Sequence, residues 1–124
     1  MKATLKNYRQ APRKVALVAD LIRGKSVPAA REALHYLPRK ASPAIEKLLN
    51  SAVANSGVAP EQLFVKTIVV NKGTVMRRYR PFARGRAGSV RKTMSIITLE
   101  LGTNAPAAKA KKARAKKAAK KEDK

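Results

Sequence analysis

The chain has 124 residues, and 29 Lys and Arg against 7 Asp and Glu give it a formal net charge of +22. It has no cysteine, which excludes disulfides and thiolate metal sites. No apolar run approaches the roughly 18 residues of a membrane-spanning helix, and Met1–Lys6 lacks the apolar stretch of a secretory signal.

We therefore expect an intracellular protein with one domain at residues 1–103 and a tail at 104–124. Self-repulsion at this charge opposes compaction of the isolated chain. Nucleic acid is the commonest polyanion that neutralises such a charge, because each phosphate contacted releases a counterion.

Three amphipathic helices are predicted in the first half of the chain. Pro12 suits the first turn of one helix, which Gly24 ends. Ser26 can cap a second helix that Pro38 stops, and a third begins near Ser42. Helical spacing directs these side chains to the core: Val15, Val18, Ala19 and Ile22; Val27, Ala30, Ala33, Leu34 and Leu37; Ile45, Leu48, Leu49, Ala52 and Val53.

An antiparallel sheet is the expected partner of these helices. Its two main strands are Leu63–Asn71 and Thr93–Leu101, and Ala3–Tyr8 is expected to add a third. A register with Lys66 opposite Glu100 gives one apolar face, in which three residues of the first strand oppose three of the second: Val65, Thr67 and Val69 against Leu101, Leu99 and Ile97. The sequence thus predicts an α+β fold, three helices on a small antiparallel sheet with a long protruding basic β-hairpin.

The hairpin carries a run of positive charge, and no acidic residue lies between Glu61 and Glu100. The register places the turn near Ala83, and Gly85 can supply the positive φ that a tight turn needs. Each strand of this arm, residues 72–93, would extend roughly 33 Å at about 3.3 Å per residue. Arginine predominates there, and guanidinium groups bind phosphate bidentately. A tip of this composition cannot form a core and requires surrounding anions.

Tyr79 and Phe82, which are interleaved with the arginines, have two interpretations. They stack on unpaired bases, or they pack across the hairpin. The tail at residues 104–124 is a low-complexity Lys/Ala segment, interpreted as a disordered segment that binds phosphate non-specifically, with improved solubility as the alternative.

The sequence gives little support for catalysis. His35 is the only histidine, and the acidic residues are scattered. The GxxG match at Gly85–Gly88 is flanked by strands, whereas the RNA-binding loop of that pattern joins two helices. No enzyme activity, cofactor or metal is therefore expected.

Four segments resemble the family of bacterial-type large-subunit ribosomal protein 22: Pro12–Lys25, Asn50–Asn55, Arg80–Ala87 and Thr93–Thr98. The resemblance runs from about residue 2 to residue 101. It implies an α+β body on the outer surface of the ribosome and an arm that passes inward through large-subunit RNA. The tip of that arm would line the nascent-peptide exit tunnel. Three positions depart from the family pattern: Ala16 and Phe82 where basic residues are frequent, and Gly88 where an acidic residue is.

The resemblance also implies site residues and partners. RNA-binding positions on the body would be Arg9, Arg13, Lys14 and Lys25, and those on the arm Lys72, Arg77, Arg78, Arg80, Arg84, Arg86, Arg91 and Lys92. The tunnel-facing tip would be Phe82, Ala83, Arg84 and Gly85. Expected partners are large-subunit ribosomal RNA, neighbouring ribosomal proteins and the nascent polypeptide, but no membrane. The protein would be cytoplasmic, in the large subunit, and monomeric when free.

The alternative function is that of a DNA-architectural protein with basic β-arms, in which Pro81 would wedge between base pairs. Such proteins act as dimers, and no large apolar dimer face is evident in this sequence. A membrane-active cationic protein is the third possibility, but the tail has no bulky apolar residues.

Overall fold

The computed structural model describes residues 1–103, so the predicted tail lies outside the described residues. The elements follow in the order β1 (Lys2–Tyr8), α1 (Pro12–Ile22), α2 (Val27–His35), α3 (Ser42–Ala54), β2 (Phe64–Pro81) and β3 (Ala87–Gly102), with short 3₁₀ turns at Pro60–Gln62 and Ala83–Gly85. This confirms the predicted α+β fold. Within this part of the chain, no helix has the length and apolarity of a membrane span.

The three helices pack through the faces that their spacing predicts. Each has a proline in its first turn, where the missing N–H removes no helical hydrogen bond. Ala33, Leu37 and Val53 are half-buried, and the other predicted inward side chains are buried. Burial of these inward side chains, rather than capping, keeps the three helices in place on the sheet.

The predicted serine cap of α2 is wrong as a hydrogen bond, and α3 has no capping hydrogen bond either. Ser26 is the N-cap of α2, but its side chain makes no capping bond. The N-cap of α3 is Ala41, and the buried Ser42 hydroxyl has no hydrogen-bond partner among the described residues.

The sheet has the antiparallel order β1-β3-β2, with β3 in the centre. The linker between α1 and α2 covers the outer edge of β2 at its start: Gly24 N–H donates to Val65 O at 3.0 Å, and Val65 N–H donates to Lys25 O at 2.9 Å. A covered edge cannot pair with another chain. The sheet contributes these residues to the core: Ala3, Val65, Ile68, Ile97, Leu99 and Leu101.

The predicted register between the long strands is correct at one end only. Val65 lies opposite Leu101 as expected, but a β-bulge follows, and Thr67 instead of Lys66 then opposes Glu100. A bulge sets two residues of one strand against one of the other, so every later side chain changes face.

Compared with the predicted register, the bulge exchanges the core-facing and solvent-facing residues of β2. Ile68, which is 1% exposed, takes the core position that the simple register gave to its neighbours, and Val69 is 42% exposed. The carboxylate of Glu100 pairs with Lys2 of β1, Nζ to Oε1 at 3.7 Å, instead of with Lys66.

The two residues after the bulge provide a test of this register. Ile68→Ala is expected to lower the free energy of unfolding by about 2–5 kcal/mol, because it leaves a cavity in the core. Val69→Ala, the matched control, should cost less than about 1 kcal/mol, since its side chain is already largely in solvent. Chemical denaturation of both variants measures the difference. A larger loss of unfolding free energy for Val69→Ala would contradict the bulge and support the register predicted without it.

Beyond the core, β2 and β3 continue together as the arm. A second register shift lies between Lys72 and Val75, opposite Thr93–Ser95, and marks the root of the arm. No side chain from Val69 to Met94 is buried. The arm therefore contributes nothing to the core, and its composition must be explained by what it contacts outside the protein.

Candidate nucleic-acid interface

The arm carries positive charge without any internal neutralisation. Its predicted RNA-binding residues are all exposed, and Arg77 lies directly opposite Arg91, a pairing of like charges that destabilises an isolated ladder. Within residues 1–103 the ion pairs are Lys2–Glu100 and Asp20–Arg23, both in the body. The arm is thus a two-stranded support for exposed cations.

The tip turns where the sequence predicts. The 3₁₀ turn Ala83–Gly85 is closed by Phe82 N–H, which donates to Arg86 O at 2.7 Å. Gly85 has the predicted positive φ of 68°, and Arg84 has a φ of 57°. The left-handed conformation of a non-glycine residue costs roughly 1–2 kcal/mol, which the sequence did not indicate at Arg84. Such local strain is typical of functional positions.

Two of the departures from the family pattern meet at the tip. The Phe82 ring covers Gly88, where an added Cβ would lie 2.6 Å from two ring carbons. The guanidinium carbon of Arg80 lies 5.4 Å from the centre of the same ring. Phe82 therefore packs across the hairpin, and its ring is still 58% exposed. Glycine at position 88 is what permits this packing.

Body and arm meet in a basic cleft, which we call the root cleft. Its volume is about 560 Å³. Its lining comes from the β1–α1 turn, the α2–α3 loop and both arm strands: Arg9, Gln10, Ala11, Lys14, Lys40, Met76, Arg91, Lys92, Thr93 and Met94. The fold thus brings together four predicted residues that are distant in sequence, and none of the lining residues is acidic.

Lys40 is the cation of the root cleft that sequence reasoning missed. The Tyr8 hydroxyl donates to Lys40 O at 3.0 Å and so ties the α2–α3 loop to β1. Burial raises the pKa of Tyr8 above its ordinary value, so the hydroxyl stays a donor to an even higher pH than a free tyrosine would. A contact over 32 positions leaves no pattern in the sequence.

Besides the arginines along the arm, three predicted residues lie outside this lining. Arg13 is exposed in the first turn of α1, and Lys72 is exposed opposite Ser95 at the arm's root. Lys25 is half-buried beside Val65, to which its carbonyl is bonded. RNA contact by each of these residues stays a prediction.

The arm and the root cleft offer cations and hydrogen-bond donors. No group of three His, Cys, Asp or Glu side chains within residues 1–103 is placed to hold a metal. His35 is exposed, with its ring edge-on to Tyr36 at 5.4 Å. The arrangement is suited to binding phosphate over a long, narrow surface.

Comparison with known proteins agrees with this geometry. The family model described as Ribosomal protein L22p/L17e matches residues 3–102. "Large ribosomal subunit protein uL22" of Herpetosiphon aurantiacus is 50% identical over 102 residues, covering 79% of this chain and 90% of the relative. The protein of the same name from Neorickettsia sennetsu is 42% identical over 106 residues, covering 82% and 94%. The resemblance noted in the sequence is thereby confirmed, and the chain belongs to the ribosomal protein L22p/L17e family.

Proposed function

We propose that this protein is a structural constituent of the large ribosomal subunit in the cytoplasm, where residues 1–103 bind and stabilise ribosomal RNA. The observation that carries the proposal is the arm, which has exposed, unneutralised arginines on both strands and no buried side chain. Family membership supports the same function, since the relatives are named large ribosomal subunit proteins.

The mechanism is neutralisation of phosphates where RNA segments converge. Each Lys or Arg that contacts a phosphate releases condensed counterions, and charge-assisted hydrogen bonds add to that gain. Arginine forks also orient the contact, because they bind phosphate through two parallel bonds. The body cations would hold RNA at the base of the arm, and the arm would hold RNA along its length.

The arm's tip is the part we assign to the exit tunnel and to contact with the nascent polypeptide. Its residues are Phe82, Ala83, Arg84 and Gly85, all exposed. They form the turn at the end of the arm, farthest along the chain from the core residues of both strands. If the body lies at the outer surface of the RNA, the tip would therefore lie deepest inside it. The packing of Phe82 on Gly88 would keep the tip narrow.

Contacts with neighbouring ribosomal proteins are assigned to the body. Leu17 and Leu21, one helical turn apart on α1, are 67% and 37% exposed. Two leucines and their surroundings are too small for a stable dimer face, and the high positive charge opposes self-association. We therefore infer a monomer when the protein is free.

The DNA-architectural alternative has less support. Pro81, its proposed wedge, lies opposite Ala87 within the ladder of the arm, before the turn. The family match covers almost the whole described chain and is to ribosomal proteins.

Sedimentation of cell extract in a high-salt sucrose gradient tests the proposed function. We expect the protein to migrate with the large ribosomal subunit, detected by mass spectrometry of the fractions, because an arm enclosed by folded RNA cannot dissociate one contact at a time. Recovery at the top of the gradient would instead indicate peripheral electrostatic binding and would overturn the structural role.

A further inference from the structure

The root cleft combines features that simple phosphate binding does not require. Its rim is cationic, with Arg9, Lys14, Lys40, Arg91 and Lys92 contributed by separate segments of the chain. Its lining also includes two thioethers and an amide. Its volume of about 560 Å³ lies within the range of roughly 300–1,000 Å³ typical of pockets that take small-molecule ligands.

The two methionines provide an apolar surface on one side of the arm. Met76 of β2 lies opposite Lys92 of β3, and Met94 follows Lys92 by two residues on β3. The three side chains therefore share one face of the hairpin. Both methionines are half-buried. Thioether groups pack favourably on aromatic rings. A phosphate gains nothing from such a surface, whereas a nucleobase does.

Gln10 supplies a side-chain oxygen whose hydrogen-bonding capacity is unused within residues 1–103. Both backbone polar groups of Gln10 are hydrogen-bonded: its N–H donates to Tyr8 O at 2.8 Å, and its carbonyl accepts from the Ser95 hydroxyl. Its side-chain oxygen is buried without a hydrogen-bond partner among the described residues. Rotation of the amide toward a ligand would break no bond there and would satisfy the oxygen. An amide presents one donor and one acceptor group, which suits the edge of a base.

The helix beside the cleft adds to the attraction for an anion. Arg13 and Lys14 occupy the first turn of α1, where the helix dipole already contributes partial positive charge, and this turn has no acidic residue. Like charges in one helical turn repel each other, and a phosphate bound at the rim would relieve that repulsion.

We propose that the root cleft binds a single unpaired nucleotide of the RNA, with its base against Met76 and Met94 and its phosphate on the rim cations. The inference rests on the proposed RNA-binding function and names a feature of the RNA at this site. A cleft of about 560 Å³ has room for one extruded base, whereas a regular duplex keeps its bases stacked and paired. Single-stranded bulges and loops are the parts of RNA whose bases are free for such contacts. Gln10 would bond to the base edge.

Methionine-methyl NMR of the full chain tests the proposal directly, because the sequence has three methionines and two of them line the cleft. The probes are the four nucleoside 5′-monophosphates and ribose 5-phosphate at millimolar concentration. We expect the nucleotides to shift the Met76 and Met94 methyl signals upfield through the ring current of the base, while Met1 stays unchanged. Ribose 5-phosphate should bind more weakly and give no ring-current shift.

Gln10→Ala and the matched control Gln62→Ala, an exposed glutamine outside the cleft, separate binding from stability. Loss of one hydrogen bond should weaken nucleotide binding about 2–10-fold in the first variant and leave the control unchanged. The first variant should be no less stable to denaturant, since the lost oxygen had no partner.

Equal binding of ribose 5-phosphate and nucleotides, or no shift of either cleft methionine, would overturn the nucleotide pocket. Neither result would affect sedimentation with the large subunit, so failure of this inference is distinguishable from failure of the proposed function.

Discussion

A protein whose arm is replaced by a tight turn is expected to fold normally and to bind large-subunit RNA far more weakly than the intact chain. Lys72 and Ser95 are paired across the two strands, so residues 73–94 can be replaced by Asn-Gly, the sequence preferred for a two-residue hairpin turn. None of the removed side chains is buried. The free energy of unfolding should therefore change by less than about 1 kcal/mol, since the shorter loop costs slightly less entropy to close.

The expected loss of affinity follows from the charges removed. The excised segment contains the predicted contacts Arg77, Arg78, Arg80, Arg84, Arg86, Arg91 and Lys92. For single-stranded or duplex phosphates, each contact contributes about 0.7–0.9 to the slope of log K against log salt. Loss of all of them should flatten that slope by roughly five to six, and so remove a fall of about 10³–10⁴-fold in affinity between roughly 50 and 200 mM salt. Filter binding to a large-subunit RNA transcript across a salt series measures both quantities.

A second variant distinguishes charge from shape. Glutamine at the same seven positions keeps the length and hydrogen bonding of the arm and removes its charge. If electrostatics dominates, this variant should match the excised protein in salt slope. A full arm that binds RNA tightly without its charges would contradict the mechanism, and so would an excised protein with unchanged affinity.

The helices and the class of fold were predictable because each depends on local spacing. Val15, Val18 and Ile22 fall on one face of α1 by their separation alone, and the folded core uses that face. The register of the strands was predictable only up to the bulge after Val65. Both registers place an apolar residue in the core, and the choice depends on how Ile68 packs under the helices, which is a property of the assembled core.

The candidate site divides in the same way. The exposed position of the arm's cations was predictable. A basic run without acidic residues cannot be buried, so between two strands it must form an exposed hairpin. The root cleft was not predictable, because Lys40 reaches it through the Tyr8 contact and Gln10 is distinguished only by its buried, unpartnered oxygen. The φ of Arg84 was also missed, since glycine at the next position already accounted for a tight turn.

The backbone amides of the arm are expected to exchange with solvent far faster than those of the body when the protein is free. A two-stranded hairpin is marginally stable in water, and here Arg77 faces Arg91 with no carboxylate nearby in the arm's sequence. Opening the arm exposes no core residue, so its free-energy cost lies near the low end of the range for local opening. Amides of core residues such as Ile97 and Leu99 require global unfolding, at about 5–15 kcal/mol.

Hydrogen exchange followed by mass spectrometry, with and without large-subunit RNA, measures this difference. Peptides from residues 77–90, the arm beyond the root cleft, should exchange at least about a hundredfold faster in free protein than those from residues 95–101 of β3, and should become protected in the complex. Ordering the arm costs roughly 1–2 kcal/mol of backbone entropy per residue, which phosphate contacts must offset. Equal protection of arm and helices in the free protein would show that the arm is preformed. Its arginines would then contribute their full contact energy to RNA affinity, instead of using part of it to order the chain.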